Sequence, residues 1–439
     1  MSAGSIIKSV SAREVSSDRG HPGIEAVVVT ANGARGVALA TAGLSIGKHE
    51  VPFVYDGGTR FAGLGLRGAV RNVEEIIAPT LKGMDATCQR EIDQTMIDLD
   101  GTEDRSKLGG NSTAAVSAAV LKAAAASLDI PLYAHIGGTR ACILPVPCAG
   151  AFGGSGRYGG GPVGNNTGDK PSHSFVCYGF STFSEASYAG WEVSTAFSKL
   201  LRERIKVGSV ASGYWGIRPG MVKNDRELWA VMAEAISVTN YEGRVGMQID
   251  VAGGTYYDEE RHIFKGLFSN DEYTKPELIQ FYREMVRDFP FVVLEDALGE
   301  EDYEGHAELT RELGIEIVGD DLFTTNPKRL AMGIAVGGAN CMLLKVNQVG
   351  TITEAFDAVE MAYRASYGVM PCMSRGEGDA LADYVVGLGT AHTREGVGGR
   401  FGNRFLEIEA ELGRNARFLG KSALKVRWSE VDARLAARK

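Results

Sequence analysis

Asp250, Glu295, Asp320 and Lys345 each close a short apolar run: RVGMQID, FPFVVLED, IEIVGDD and NCMLLK. Runs of this kind, bounded by polar residues and followed by helical patterns, predict buried strands. The steps from Glu295 to Asp320 and from Asp320 to Lys345 are both 25 residues, room for one strand, one helix and two loops. Neighbouring strands lie about 4.8 Å apart, so acids ending three successive strands can converge on one point. Three hard oxygen ligands suit Mg2+, which keeps waters for a substrate. No His or Cys shares these three strand ends to favour a softer metal. The competing reading is a set of helix N-caps, a common use of Asp after a strand. Three acids followed by a lysine on the next strand favour the metal. Lys345 is then either an ion-pair partner of the acids or a general base. A nearby divalent cation would favour its neutral amine, able to take a proton α to a carboxylate while the metal holds the enolate.

Positioning these groups requires a regular frame. Further runs of the same kind are YGVMPCM, ending near Met373, Ser374 and Arg375, and YVVGLGT, leading to Arg394. Six or more βα units with buried strands predict a parallel α/β barrel, in which chemistry sits at the C-terminal strand ends. The first 140 residues read as mixed: IEAVVVT (24–30) alternates as a strand, while 67–82 and 112–128 have helical spacing. ACILPVPC (141–148) reads as a connection, giving expected domains 1–140 and 141–439.

Glycine supplies 57 of the 439 residues, well above the usual share of about 7%. The densest cluster, GGSGRYGGGPVGNNTG at 153–168, holds eight. It reads either as a flexible surface loop or as a mobile lid over a site. Only 13 prolines and no G-X-Y period exclude collagen, and 44% hydrophobic residues exclude disorder. A net charge of −9 argues against a nucleic-acid partner. The six cysteines show no C-x-x-C spacing, and the start MSAGSIIKSVSAREV lacks the apolar core of a signal peptide. No uninterrupted apolar stretch reaches the ~18 residues of a membrane span. A cytoplasmic protein with no membrane partner is expected.

The four chemical residues lie within longer stretches that resemble enolase over nearly the whole chain. These include LDGTEDRSKLGGN (99–111), IPLYAHIGG (130–138), LPVP (144–147), DVA (250–252), LED (294–296), GDDLFTTNPKR (319–329), LLKVNQVG (343–350) and VVGLGT (385–390). The resemblance implies an enolase-type (β/α)8 barrel behind an N-terminal α+β domain. It implies Mg2+ on Asp250, Glu295 and Asp320, with Lys345 as the catalytic base. It also implies a homodimer or higher homo-oligomer joined through the N-terminal domain, where Arg13 and Glu14 lie in a matching stretch.

The departures from the family pattern carry a further expectation. The acid of D-E-G-G-F-A-P falls at Tyr214 in GYWGIRP, and its partner acid, in M-Q-E-F-M, falls at Ser174 in SHSFVC. The histidine of G-G-S-H falls at Gly156, and that of V-S-H-R-S at Met373. The following Arg-Ser pair becomes Ser374–Arg375, where a one-residue shift puts Arg375 in the arginine's role. A carboxylate-binding lysine becomes Arg394. The loop S-G-A-S-T-G becomes AGLSIG, with Ala42 for its first serine and Ser45 as a substrate contact. Tyrosine titrates near 10, so Tyr214 and Ser174 cannot replace an acid pair at neutral pH. The enolate-forming half is kept while the water-expelling half is exchanged. This pattern is most similar to family members acting as carboxyphosphonoenolpyruvate synthases in phosphinothricin-type antibiotic biosynthesis. The expected reaction is transfer of a phosphonoformyl group from a CMP-linked donor to an enolpyruvate unit, with Arg157 near the donor phosphate. Dehydration of 2-phosphoglycerate to phosphoenolpyruvate, or a non-catalytic scaffold, are the alternatives. The expected substrate contacts are Ser45, Arg157, Tyr214, Ser374, Arg375 and Arg394.

Overall fold

The alternation expected at 24–30 becomes the middle strand of an antiparallel sheet in the computed structural model of the chain. The residues described are 4–17, 20–43, 46–154, 156–160, 170–205, 214–373, 375–378 and 380–437. Strands β1 (Ile7–Ser16), β2 (Pro22–Thr30) and β3 (Arg35–Ala40) pair in that order. Ile24, Ala26 and Val28 point to one face and are fully buried, as a period of two requires. That face is covered by the helix Gly110–Ser127, together with helical residues 67–81 and the helix Gln89–Asp100. We call the last two long helices α1 (Gln89–Asp100) and α2 (Gly110–Ser127). The alanines of α2 let it approach β3 closely. A Cβ at Gly36 would lie 1.9 Å from the Ala119 carbonyl oxygen, so this position needs glycine.

The second buried cluster fills a barrel. Its strands are β4 (Val146–Gly153), β5 (Ser172–Cys177), β6 (Val245–Asp250), β7 (Phe291–Glu295), β8 (Glu316–Gly319), β9 (Cys341–Leu344), β10 (Gly368–Pro371) and β11 (His392–Gly396). They are hydrogen-bonded in the order β10-β9-β8-β7-β6-β5-β4-β11. A parallel bridge from Val369 to Ala391 closes the ring. The outer layer includes α3 (Phe183–Ile205), α4 (Asp225–Val238), α5 (Lys275–Asp288), α6 (Tyr303–Leu313), α7 (Pro327–Val336), α8 (Ile352–Arg364), α9 (Ala380–Leu388) and α10 (Gly399–Leu412).

Three sequence expectations are corrected here. The barrel is not uniformly parallel: β5 runs antiparallel to both β4 and β6. Its first residue, Ser172, therefore stands opposite Asp250, the last residue of β6. The run YVVGL is not a strand but the buried end of α9, and the last strand begins at His392. A short run that is apolar on every side cannot be assigned by periodicity. ACILPVPC is likewise more than a connection, because β4 starts at Val146.

Candidate active site

The four strand ends deliver their groups to one place. Glu295 is the direct register partner of Asp250, and Asp320 follows the last residue of β8. All three carboxylates are buried. Buried anions at adjoining strand ends need compensation, and each has a cationic side chain. Asp250 Oδ2 is ion-paired with Lys170 and lies 3.5 Å from Arg394 Nη2. Glu295 Oε2 accepts from Arg394 Nε at 3.0 Å. Asp320 Oδ2 accepts from Lys345 Nζ at 2.5 Å, and its Oδ1 accepts from Gln348 Nε2 at 2.8 Å.

These pairings set the protonation states. Burial, the largest influence, would lower the Lys345 pKa, but the Asp320 carboxylate together with Cys372 and Asp321 outweighs it and the net shift is upward. Burial alone would raise Asp320, and Lys345 outweighs it in turn, leaving that carboxyl below its usual range. The lowered Lys345 pKa expected beside a metal thus requires a cation to share the Asp320 charge. Behind the ring, Asp296 accepts the backbone N–H groups of Asp320 and Asp321 at 3.0 and 2.8 Å. Burial and then the Asp321 charge push Asp296 upward. Asp321 is pushed to about 7, by burial and then by Asp320. Asp296, Asp320 and Asp321 form the tightest acidic group found among the described residues, with ligand atoms within 4.8 Å.

The donor chemistry fits a hard divalent cation. Asp250 Oδ1 is buried with no hydrogen-bond partner among the described residues, a costly state for a carboxylate oxygen. Asp250, Glu295 and Asp320 could hold such an ion through oxygen alone.

Arg394 is fastened by four groups: Glu295, Asp250, Ser174 Oγ at 3.1 Å and Ser172 Oγ at 2.7 Å. Ser174 thus joins the site, although it carries no charge. Tyr214 lies close by: a Cβ at Gly150 would come 3.0 Å from its ring, and Gly150 is the register partner of Ser174. Arg375 is buried and paired with Glu50, while its carbonyl accepts from Asn347 Nδ2 at 2.6 Å and Thr41 N at 3.1 Å. Asp320 and Asp321 lie near enough to help hold its charge. Met373 is half-buried against the core.

Arg157 has a different occupation from the one expected. Its Nη2 and Nε bind Asp225 Oδ2 and Oδ1 at 2.6 and 3.1 Å, with the side chain 2% exposed. Tyr158 OH donates to the same Asp225 at 2.6 Å. The guanidinium is thus committed to a buried internal pair rather than presented to a donor phosphate. Ser45, Ser374 and residues 155 and 161–168 of the glycine cluster lie outside the described residues.

Sequence reasoning missed Lys170, Glu50 and Gln348 as members of the site. Lys170 stands immediately before the stretch that replaces the family's acid motif, and Gln348 lies within LLKVNQVG. Their roles depend on side-chain reach across elements, which no local pattern records. The loop 46–51 arrives from the N-terminal half. Val51 N donates to the Gln348 carbonyl at 2.9 Å, and a Cβ at Gly47 would lie 3.1 Å from Asp321 Oδ1. Backbone strain gathers at the same mouth. Ala252, Asp296, Thr324 and Thr325 all have φ between +44° and +55°, a costly region for non-glycine residues.

Residues 7–136 match the model of the enolase N-terminal domain, and 141–427 that of the enolase C-terminal TIM barrel domain. The chain is 43% identical over 428 residues to a protein named Enolase from Methanopyrus kandleri, covering 94% of this chain and 97% of that one. It is 40% identical over 431 residues to Enolase from Pyrococcus furiosus, covering 96% and 98%. It is 39% identical over 434 residues to Enolase from Bifidobacterium animalis subsp. lactis, covering 95% and 98%. These relatives overturn the expectation of a carboxyphosphonoenolpyruvate synthase. None of them carries that name, and neither a CMP-linked donor nor an antibiotic pathway finds support. With both domains matched and identity near 40% along almost the full length, the chain belongs to the enolase family.

Proposed function

We propose that the chain is a Mg2+-dependent lyase that dehydrates 2-phosphoglycerate to phosphoenolpyruvate. The observation that carries this reading is Lys345 Nζ at 2.5 Å from Asp320 within a ring of buried acids. The name Enolase, shared by relatives matched over more than nine-tenths of the chain, supports it. Asp250, Glu295 and Asp320 would hold Mg2+, which supplies positive charge beside an enolate-like dianion. Lys345 takes the α proton. Asp320 now keeps it as an ammonium, so Lys345 becomes a base only once that carboxylate's charge is shared.

Arg394 offers a planar fork suited to the substrate carboxylate. Ser172 and Ser174 lie beside Arg394, with the Tyr214 ring over Gly150, and these hydroxyls hydrogen-bond the leaving hydroxyl without a carboxylate's charge. Loss of a positioned general acid costs about 10²–10⁴-fold, so turnover should be slow by about that factor. The protein works as a homo-oligomer in this reading, which light scattering would check. Arg13 and Glu14 each already have a partner within the chain, Glu25 and Arg60.

The test follows phosphoenolpyruvate formation from 2-phosphoglycerate with Mg2+ and after chelation. Metal-dependent turnover is expected, falling by about 10²-fold or more in Lys345→Ala. Folded wild-type protein with no metal-dependent turnover would overturn the proposal.

A further inference from the structure

Lys170 presents a conflict that the proposed chemistry has to resolve. Its ammonium is ion-paired with Oδ2 of Asp250, its one ion pair among the described residues, and its charge also acts on Asp320 and Asp321. Asp250 is also the carboxylate whose Oδ1 has no hydrogen-bond partner among the described residues. A divalent cation on Asp250 and an ammonium on the same carboxylate repel each other strongly at contact distance in a buried site.

One of the neighbouring cations has to yield, and the geometry identifies which. Arg394 is fastened by Glu295, Ser172 and Ser174 besides Asp250. Lys345 is held at 2.5 Å by a different acid, Asp320. Lys170 makes a single ion pair among the described residues, its charge reaching Asp320 and Asp321 only from farther off, and its side chain is 14% exposed against 4% for Asp250. It also sits on a flexible four-carbon stem that lets a point charge swing several ångströms. Its main chain is anchored meanwhile, because Tyr256 OH donates to the Lys170 carbonyl at 2.7 Å. The ammonium can therefore move while its attachment point stays beside the acids.

We propose that Lys170 is a substrate-binding residue that exchanges partners. It neutralises Asp250 before the metal arrives, then passes to an anionic oxygen of the substrate once the metal holds that carboxylate. The inference rests on the proposed metal-dependent reaction for the identity of the substrate, but the exchange itself can be read without turnover. Lys170 thereby offsets part of the negative charge that a phosphorylated carboxylic acid brings into a site already rich in acids. The family motifs quoted above contain no such residue, and the lysine lies in the segment where this chain departs from them.

The experiment uses the full chain and compares wild type with Lys170→Met and Lys170→Arg, folding being checked by thermal melting. Calorimetric titration with Mg2+ alone reads the first half of the exchange. Lys170→Met should bind the metal about fivefold more tightly or better, because its competitor is gone, while Lys170→Arg should stay near wild type. Titration of the Mg2+-loaded proteins with inorganic phosphate reads the second half. Lys170→Met should bind phosphate about tenfold more weakly, with recovery in Lys170→Arg. Unchanged or weaker metal binding in Lys170→Met overturns the competition. Tighter metal binding with unchanged phosphate affinity overturns the transfer to the substrate. Both readings stand apart from the dehydration assay, so a wild type inactive on 2-phosphoglycerate would sink the proposed function and leave this test intact.

Discussion

Three carboxylates at neighbouring strand ends repel one another unless cations stand among them, and the three cations here are not equivalent. Lys345 and Asp320 shift each other's titration in opposite directions, while Arg394 bridges two acids and two serines. The same logic separates Arg157 from the site. It is as buried and as tightly paired as Arg394, but its acid is Asp225 at the start of α4. Breaking a buried pair from one side costs about 3–5 kcal/mol because the remaining charge is left uncompensated. Arg157→Ala should therefore lower stability by that order in denaturant unfolding. If its role is structural, the KM for 2-phosphoglycerate in the remaining folded protein should stay within a few-fold of wild type. A large KM change with unaltered stability would return Arg157 to the substrate.

At the scale of elements, the reversal of β5 matters most. Running against its neighbours, it brings its first residues, rather than its last, to the catalytic mouth, so Ser172 and Ser174 reach Arg394. Helix α6 shows how a buried histidine can tie an element to the barrel. His306 Nδ1 donates to the Asp302 carbonyl at 2.8 Å, and its Nε2 faces the Leu298 N–H at 3.4 Å. Burial depresses its pKa. Above about pH 6.5 the ring is neutral folded and unfolded, so its contribution is fully present. Below that, the unfolded chain takes a proton that the folded one refuses, and stability is lost as pH falls toward the depressed folded pKa. Buried acids with raised pKa values, such as Asp296, act in the opposite sense. The group is therefore isolated by difference. The stability gap between wild type and His306→Gln should shrink as pH falls from 7.5 to 5.5. A gap independent of pH would show that burial leaves the titration of His306 unshifted.

The whole molecule closes its site with two regions far apart in sequence. Glu50 comes from the N-terminal half and Arg375 from beyond β10, and their side chains are 3% and 1% exposed. The same loop binds Gln348, and further pairs cross the boundary: Arg105 with Glu354 at 2.5 Å and Arg90 with Asp357 at 2.6 Å. Glu50→Ala leaves the Arg375 charge poorly compensated, so it should cost about 3–5 kcal/mol. It should also release the loop, seen as faster hydrogen exchange at Val51, whose N–H is bonded to Gln348. Unchanged exchange there would show that backbone contacts alone hold the loop over the barrel.

Much of this was legible in the residues themselves. Asp250, Glu295, Asp320 and Lys345 announce themselves because each closes an apolar run with a charge, and the 25-residue steps from Glu295 to Asp320 and on to Lys345 set the repeat. The enolase resemblance followed from contiguous motifs, which are local by nature. Arg394 and Ser174 were identified for the same reason, as substitutions inside such motifs. Local pattern could not supply the direction of β5 or the helical state of YVVGL, because a short apolar run has no periodicity to read. Nor could it say which cation meets which anion. Arg157, Lys170, Arg375 and Arg394 look alike in sequence, yet one is locked in the core, one stands on Asp250, one clasps a loop and one bridges the acids. Only the tertiary structure decides this, because ion pairing depends on distance and burial in space, and residues far apart in the chain set both.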